Sequence, residues 1–406
     1  MDVKDFDLMD PCLFSSGGAP AMFQALRRDD PVHWQPARDN VNPGFWVISR
    51  YRDVISVLRK PELFSSEWGN ILPTWEHRDP MAGLMTFSSD PPAHTRMRSM
   101  LMPSLTPRAV RARRKVIASI VARVLAEVPD GEPFDFMELV ASRLPIALTC
   151  GLLGVPVDDI TMIKELAAVA HATKENDQAG GPTSREETFC SAHLELLAYF
   201  SDLVARRRKE PEDDLVSSVV HTEINGDRLS DEEIAVNCFA AVLGGYQADK
   251  NAQGGAILAL IQNPDQFDLL VSRSRSVMTP AVEEIWRWTT PTLNLTRVAL
   301  TDTEIAGVPI AAQDRVSVSL YSANRDEDAF ADPYQFRLTR KPNRHVAFGN
   351  GCHFCAGASV ARLEMSLLLG SVIKRRVRPV LAAEPTPVFS HFQQGLKRLP
   401  VMFVPR

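Results

Sequence analysis

The stretch that decides the fold is residues 348–357, which read Phe-Gly-Asn-Gly-Cys-His-Phe-Cys-Ala-Gly. Three glycines and two phenylalanines surround Cys355 there, and a helix-forming segment follows at once, at residues 358–369. Glycines at this density predict a tight loop, and the helix behind it would turn its N–H groups and the positive end of its dipole toward the sulfur. Such surroundings stabilise a thiolate. The stretch therefore predicts a cysteine thiolate at a helix N-terminus, which suits an axial ligand of haem iron.

The same residues allow other interpretations, because Cys352 and Cys355 form a Cys-x-x-Cys pair. Such a pair is a redox dithiol or half of a zinc site. The chain has no second Cys-x-x-Cys and no suitably spaced pair of histidines, which argues against zinc. A thioredoxin-like dithiol would need a strand before the helix and would not need three glycines. Covalent haem attachment of the c type requires a histidine directly after the second cysteine, where Ala356 stands.

Residues 348–357 match every fixed position of the pattern Phe-Gly-x-Gly-x-His/Arg-x-Cys-x-Gly. This pattern is that of the haem-binding loop of the cytochrome P450 family, the haem-thiolate monooxygenases. The chain resembles the soluble bacterial members of that family over nearly its whole length. The resemblance implies a single P450 domain over residues 1–406, mainly α with a minor β part, around a buried haem b. It implies that Cys355 is the iron ligand. The other loop residues that it places against the haem are Phe348, Gly349, His353 and Gly357.

Haem carries two propionates, which need cationic or hydrogen-bonding partners. By the resemblance, His353 of the loop is one such partner. Residues 90–98 resemble the family's helix that supplies two more, and His94 and Arg98 share one helix face by their four-residue spacing. Arg297 stands where the family has another. An exposed histidine at a helix start is the alternative interpretation of His94.

A second motif, Glu284-x-x-Arg287, puts two charges on one helix face. Alone it indicates only a solvated salt bridge. Its position upstream of the Cys355 loop matches the family's Glu-x-x-Arg helix, and the segment that follows resembles the family's meander, in which Arg340 would join the pair. The resemblance thus implies a buried ionic cluster with a structural role, made of Glu284, Arg287 and Arg340.

The longest predicted helix begins at the capping box Ser230-x-x-Glu233 and continues to about residue 261. A helix so long and so apolar is predicted to run through the core. Gly244 and Gly245 interrupt it midway, which indicates either close helix packing or a kink, or close approach of a flat ligand to the backbone. The resemblance favours the ligand, because the family's helix crosses the distal face of the haem at this point.

Two residues of this helix depart from the family. Where the family has Ala/Gly-Gly-x-Asp/Glu-Thr, this chain has Gln247 in place of the acid and Ala248 in place of the alcohol. The usual acid and alcohol order water and deliver protons. The Gln247 side chain has no acidic proton to donate, and the Ala248 side chain cannot form a hydrogen bond. Either protons arrive through ordered water or the substrate, or the chemistry differs, for example hydrogen abstraction followed by coupling of aromatic rings. The predicted catalytic positions are Gly244, Gly245, Gln247 and Ala248.

The segment ahead of His94 lies where the family shapes its substrate pocket, and it is rich in aromatic and methionine residues. Capping of the core explains any single one of them equally well. Together they suit a planar, partly polar substrate, and with the change at Gln247 they make the chain similar to members that oxidise cyclodipeptides or couple aryl groups. The predicted pocket residues are Trp68, Trp75, Met85, Phe87, Ala241, Leu293, Asn294, Phe392 and Gln393.

The function predicted on this basis is a haem-thiolate oxidase that uses dioxygen and two electrons on a natural-product-like small molecule. Oxidative coupling of a tryptophan-containing cyclodipeptide is the specific hypothesis, and hydroxylation of a macrolide or a terpenoid is the alternative. A haem sensor without turnover is a second class, favoured only by the lost acid and alcohol. Because the sequence has no reductase domain of its own, electrons are expected from a ferredoxin and its ferredoxin reductase.

Composition and charge argue against several other classes. The 406 residues are 45% hydrophobic and 23% charged, as in soluble globular proteins, and the net charge of -5 gives no reason to expect nucleic-acid binding. The acidic first residues predict neither a signal peptide nor a membrane anchor, and no run approaches the roughly 20 apolar residues of a spanning helix. Six scattered cysteines are typical of a reduced cytosolic protein. We expect a cytoplasmic protein with no membrane or nucleic-acid partner.

Short elements are also visible in the sequence. A helix is predicted at residues 51–59 and a turn at residues 42–44. Aromatic and β-branched runs predict strands at residues 32–35, 45–48, 315–320 and 400–404.

Overall fold

The computed structural model describes residues 7–37, 44–72, 78–170 and 182–406, with the side chains of residues 182–189 excepted. Backbone contacts divide the chain into two compact units, each assembled from separate segments. The segments of the first unit are residues 1–95, 263–355 and 387–395. Those of the second unit are residues 96–262, 356–386 and 396–406.

The first unit combines short helices with a mixed sheet. Its helices are α1 (Cys12–Ser15), α2 (Ala19–Asp29), α3 (Tyr51–Leu58), α12 (Pro264–Ser272), α13 (Ser274–Thr289) and α14 (Leu320–Ala323). Its strands are β1 (Val32–Gln35), β2 (Phe45–Ile48), β3 (Phe64–Ser65), β5 (Asn294–Ala299), β6 (Thr303–Ile305), β7 (Val308–Ile310) and β8 (Arg315–Ser319).

Five of these strands form one sheet in the order β1-β2-β8-β5-β3. Strands β2 and β8 run parallel, and the other neighbours run antiparallel. Alternating apolar residues of β2 and β8, such as Ile48, Val316 and Val318, pack with Val54 of α3 in one buried cluster. The predicted strands at 32–35, 45–48 and 315–320 are therefore confirmed, and so is the helix at 51–59. Of the predicted turn, residues 42 and 43 lie outside the described residues.

The second unit is mainly helical. Its helices are α5 (Pro107–Ala112), α6 (Arg114–Ala126), α7 (Leu144–Leu153), α8 (Ile160–Ala170), α9 (Pro182–Lys209), α10 (Leu215–Val220), α11 (Asp231–Gln262) and α15 (Ala358–Lys374), with a π-helical turn at Met137–Ala141. Its strands are β4 (Pro133–Asp135), β9 (Val377–Leu381), β11 (Leu396–Arg398) and β12 (Pro400–Pro405), and β12 pairs with both β4 and β9.

Helix α11 is the long helix that the sequence predicts. The Ser230 hydroxyl accepts the Glu233 N–H at 3.1 Å, and the Glu233 carboxylate accepts the Ser230 N–H at 2.8 Å, which is the capping box. The helix runs for 32 residues and packs on α7, α9 and α15 of the same unit, so its predicted course through a core is confirmed.

Two further elements contain residues of both units, namely α4 (Ala93–Leu101) and β10 (Thr386–Pro387). The predicted class, mainly α with a minor β part, is confirmed. Among the described residues, none of the helices combines the length and the apolarity that crossing a membrane requires.

Candidate active site

The loop around Cys355 is a tight turn that requires glycine at two points. Gly349 and Gly351 both have a φ of 71°, in the left-handed region that other residues rarely adopt. A Cβ on Gly351 would lie 2.1 Å from the backbone oxygen of Leu58. The Cys355 N–H closes the loop by donating to the Phe348 oxygen at 2.9 Å. Since α15 begins shortly after Cys355, the sulfur-bearing residue directly precedes a helix N-terminus.

Aromatic packing fixes this loop within the first unit. Phe348 is buried, and its ring centroid lies 4.5 Å from that of Trp286 on α13. The ring centroid of Phe354 lies 6.2 Å from that of Phe348. Because Phe348 is the residue whose oxygen closes the loop, its burial holds the loop in one conformation.

His94 and His353 stand side by side in the first unit, with ring centroids 4.2 Å apart. The Ser66 hydroxyl lies 3.2 Å from Nε2 of His353, and the Ser66 N–H donates to the Asp90 carboxylate at 2.9 Å. His94 is 1% exposed, so the interpretation as an exposed histidine at a helix start is wrong. Arg98 follows one helical turn later on α4 and is half-buried.

Cys352 also belongs to this neighbourhood. Ligand atoms of His94, Cys352 and His353 lie within 4.8 Å of one another, and no other group of three His, Cys, Asp or Glu side chains in the described part of the chain is so arranged. Cys355 is not a member of the group. The two cysteines therefore do not combine in one metal site, which argues further against the zinc interpretation.

Arg297 on β5 is a buried cation, 3% exposed. One of its guanidinium nitrogens donates to the Asn70 side-chain oxygen and to the Thr296 carbonyl. Burial lowers the pKa of Arg297 to about 10, against the raising effect of Asp90 and Cys352. Among the described residues no carboxylate forms a salt bridge with Arg297. A buried guanidinium that lacks an anionic partner in the protein is suited to receive one from a ligand.

These side chains fit a haem. The first unit offers a cysteine ahead of a helix N-terminus for the iron, two adjacent imidazoles, and a buried guanidinium for carboxylates. That donor set matches one axial thiolate and anionic propionates.

Glu284, Arg287 and Arg340 form the ionic cluster that the resemblance implies. Glu284 accepts two bonds from Arg287, both at 2.8 Å, and one from Nε of Arg340 at 3.0 Å. Arg287 also donates to the carbonyls of Asn324 and Pro333, and all three charged residues are buried. The cluster thus joins α13 to the segment that leads into the Cys355 loop. Among the described residues, none of these hydrogen bonds reaches another predicted site residue, which suits a structural role.

The two glycines in the middle of α11 have different surroundings. A Cβ on Gly245 would lie 2.8 Å from the Thr149 hydroxyl of α7, so this glycine permits close helix packing. A Cβ on Gly244 would meet no atom within 4 Å. The packing interpretation therefore applies to Gly245, while the open surroundings of Gly244 suit close approach of a ligand. Gln247 and Ala248 follow on the same helix and are partly buried.

The predicted pocket residues of the first unit take several positions. The Trp68 ring lies 4.9 Å from the Arg315 guanidinium, Met85 is buried, and Phe87 is 44% exposed. Leu293 is fully buried. Its N–H donates to the Phe392 oxygen at 2.9 Å, and an antiparallel bridge pairs the neighbouring Thr292 with Gln393. In the second unit, Ala241 is exposed on α11. Trp75 lies outside the described residues.

Asn294 is held more firmly than the sequence indicates. Its side-chain nitrogen donates to the His391 oxygen at 2.7 Å, and His391 in turn bonds the Leu72 oxygen at 3.0 Å. The side-chain oxygen of Asn294 is buried and has no partner among the described residues. One end of this amide is thus structural, while the other remains available to a ligand.

The sequence pattern did not reveal several residues at the site. Ser66, Asn70 and Asp90 support His353 and Arg297, and Arg315 faces Trp68. None belongs to a motif, because each reaches its partner through the tertiary fold.

The sequence profile of the family described as Cytochrome P450 matches residues 42–378. The chain is 35% identical to cytochrome P450 NovI of Streptomyces niveus, over 98% of this chain and 97% of that protein. It is 32% identical to the steroid C26-monooxygenase of Mycobacterium tuberculosis strain H37Rv, over 100% of this chain and 98% of that protein.

Two solved structures of cytochromes P450 are similar to this chain in fold and in sequence. OxyD, a P450 involved in the biosynthesis of vancomycin-type antibiotics, has a TM-score of 0.86 and 34% identity, covering 98% of this chain and 100% of that one. CYP268A2 of Mycobacterium marinum, in complex with pseudoionone, has a TM-score of 0.87 and 28% identity, covering 98% of each chain. The fold and site thus define a haem-thiolate monooxygenase. The chain belongs to the cytochrome P450 family, and the predicted family, P450 fold and enzyme class are confirmed.

Proposed function

We propose that this cytochrome P450 binds haem b through Cys355 and oxidises a natural-product-like small molecule. Bound haem supplies dioxygen activation and the oxidation of the substrate. Cys355 would hold the iron, while His94, Arg98, Arg297 and His353 would bind the propionates. Phe348, Gly349 and Gly357 would shape the loop, and Gly244 would leave room beside α11.

The specific substrate that we propose is a neutral aromatic cyclodipeptide that contains tryptophan, with oxidative coupling as the reaction. The observation that carries this proposal is the replacement of the acid and the alcohol by Gln247 and Ala248 on α11. Coupling and hydroxylation take up the same two protons, so the replacement indicates another proton route, and the N–H groups of an amide-bearing aromatic substrate, together with ordered water, can supply one. The similarity to OxyD, a P450 of antibiotic biosynthesis, supports a natural-product substrate.

The polar groups around Asn294 suit an amide-bearing substrate. The side-chain oxygens of Asn294 and Gln394 are both buried and have no partner among the described residues. Each can accept an N–H of a diketopiperazine ring or an indole. An anionic substrate would instead need a cation, and Arg315, whose guanidinium lies 4.9 Å from the centre of the Trp68 ring, is a candidate.

A spectral titration tests this substrate class. We expect tryptophan-containing cyclodipeptides to shift the haem to high spin, and long-chain fatty acids not to do so. Asn294→Ala should weaken the cyclodipeptide response, while the matched variant Asn263→Ala, at the start of α12, should leave it unchanged. Tight high-spin shifts from fatty acids alone would refute the proposed substrate and would leave the family assignment intact.

Hydroxylation of a terpenoid is the second candidate. The similarity of this chain to CYP268A2, whose structure contains pseudoionone, favours this candidate. So does the 32% identity to the linalool 8-monooxygenase of Pseudomonas putida. Linalool and pseudoionone in the same titration decide between the two. If they bind tightly and no aromatic amide binds, the second candidate replaces the first.

We also make proposals about the electron donors, the domain organisation and the cellular location of this enzyme. We propose that a ferredoxin and a ferredoxin reductase supply the electrons, and that both compact units together form one P450 domain, because the family profile runs through segments of both. We also propose a cytoplasmic location, supported by six cysteines, none of which forms a disulfide. Turnover with surrogate ferredoxins tests the first of these proposals.

A further inference from the structure

Asn70 is a buried amide whose oxygen and nitrogen both have protein partners. It is 3% exposed. Its side-chain oxygen accepts from the Arg297 guanidinium, and its side-chain nitrogen donates to the Phe87 carbonyl at 2.8 Å. The two ends of an amide cannot exchange these roles, because only the nitrogen carries protons. Both bonds together therefore fix the orientation of this side chain.

The backbone places Asn70 beside β5 independently of its side chain. Strand β3, shortly before this residue, pairs with Val298 and Ala299 of β5. After a short turn, the Asn70 backbone oxygen accepts the Thr296 N–H of the same strand at 3.1 Å. Arg297 is the next residue of β5. A variant with a smaller side chain at position 70 should therefore retain this course of the backbone.

The Phe87 carbonyl belongs to a compact turn at residues 83–89, in the predicted wall of the substrate pocket. The Ser89 hydroxyl donates to the Met85 oxygen at 2.6 Å and accepts the Gly83 N–H at 2.9 Å. These bonds close the turn internally, so a contact from outside can position it as a unit. The bond to the Phe87 carbonyl is such a contact, and it relates the turn to β5.

Asparagine suits both partners at this position. Arg297 needs an acceptor that leaves its charge available to a propionate, and a neutral amide oxygen is such an acceptor. An aspartate would pair with the guanidinium itself, and in its ionised form it would have no proton for the Phe87 carbonyl. An alanine would serve neither partner. One residue thus supports both a predicted haem-binding cation and a turn of the predicted pocket wall.

We propose that Asn70 is a positioning residue that couples anion binding at Arg297 to the shape of the substrate pocket at the 83–89 turn. This inference rests on the proposed haem binding and on the placement of Phe87 in the pocket wall, but not on the identity of the substrate. Arg297, once restrained by a propionate, restrains the Asn70 oxygen, and the nitrogen of the same amide holds the Phe87 carbonyl. The pocket wall should therefore be held more firmly in the haem-loaded protein.

Haem retention separates this role from a purely structural one. Asn70→Asp is nearly isosteric, so a loss of packing alone predicts a milder effect than in Asn70→Ala. Coupling through Arg297 predicts the reverse, because the new carboxylate competes with a propionate for the guanidinium. We expect haem transfer to apomyoglobin to be several-fold faster from Asn70→Asp than from Asn70→Ala. Asn263→Ala, at the start of α12, should transfer haem at the wild-type rate.

Two azoles that bind haem iron through a ring nitrogen report on the pocket. 4-Phenylimidazole is large enough to contact the pocket wall, whereas imidazole is not. Both variants lose the donor to the Phe87 carbonyl, so we expect several-fold weaker binding of 4-phenylimidazole in each. Binding of imidazole and the carbon monoxide difference spectrum should stay those of the wild type.

Hydrogen exchange of the backbone is a readout that needs no ligand. The Met85 N–H bonds the Met81 oxygen, and the Ser88 N–H bonds the Met85 oxygen. Both N–H groups should exchange several-fold faster in the two Asn70 variants, because a turn that is no longer held opens more often. The N–H groups of α11 should exchange at the wild-type rate.

Three results would overturn the proposal. The first is an unchanged affinity for 4-phenylimidazole in both variants, and the second is an equal loss of affinity for the two azoles. The third is haem transfer from Asn70→Asp that is no faster than from Asn70→Ala, as a merely structural role predicts. A wild-type protein without a thiolate spectrum would instead refute the proposed function, and hydrogen exchange would still show whether Asn70 holds the turn.

Discussion

The imidazole rings of His94 and His353 lie 4.2 Å apart with their planes tilted by 44°. Each ring offers an N–H donor, so a single carboxylate can accept from both. His353 comes from the Cys355 loop and His94 from the start of α4, so an anion bound by both would tie the loop to α4. Haem retention should therefore depend on His94, although His94 is distant in sequence from Cys355.

We therefore predict that His94→Phe weakens haem retention. The phenyl ring keeps the packing but removes the donor, and a charge-assisted hydrogen bond is worth about 1.5–3 kcal/mol, roughly a 10- to 100-fold change. The rate of haem transfer to apomyoglobin measures the effect. His33→Phe, on β1, is the matched control and should transfer haem at the wild-type rate. Equal rates for both variants would show that His94 does not bind the haem.

The second prediction concerns the iron ligand. Cys355→Ala should abolish the red-shifted Soret band of the reduced carbon monoxide complex, because that band requires a thiolate as the protein ligand of the iron. Cys352→Ala should retain the band, since Cys352 lies beside His94 and His353 rather than ahead of α15. The opposite pattern would mean that Cys352 is the ligand.

The third prediction is that Glu284→Gln strongly destabilises the protein. The change leaves Arg287 and Arg340 buried and charged without their common anion, and breaking a buried ion pair in this way costs about 3–5 kcal/mol. Urea unfolding of the holoprotein measures the loss. Glu223→Gln removes the exposed partner of Arg228, and the expected change there is at most about 1 kcal/mol. Similar losses in the two variants would argue against a special role for the buried cluster.

The sequence predicts well those parts of the molecule that depend on local pattern. The Gly-rich loop around Cys355 and the capping box of α11 each lie within a few consecutive residues, so both are recognisable without a structure. The meaning of Gly244 and Gly245 was not decidable in this way. Only the position of Thr149 shows that one glycine permits helix packing and the other faces open space.

Contacts between distant segments account for what the sequence could not predict. Asp249 and Glu364 belong to no motif, and each would pass for an ordinary helix-surface acid in its own segment. Their contact arises because α11 packs on α15. Likewise, nothing in the sequence near Trp68 indicates that Arg315 of β8 lies over its ring. Buried polar groups brought together by tertiary packing are the features that pattern recognition misses here.

The fourth prediction is a pH-dependent gain in stability from Asp249→Asn. The pKa of Asp249 is raised from 3.8 to about 7 by folding, so the folded protein binds more protons than the unfolded chain between these values. Wild-type stability therefore falls as the pH rises through this window, and the loss persists above pH 7. The variant lacks the titrating group and should melt higher than the wild type at pH 8, by about 2 °C or more. The difference should shrink toward pH 5.

Thermal unfolding of the holoproteins at several pH values measures this difference. Glu232→Gln, in the exposed first turn of α11, is the control, because this side chain should show no difference that depends on pH. A variant that is less stable than the wild type at pH 8 would mean that the surroundings of Asp249 stabilise its ionised form, contrary to the raised pKa.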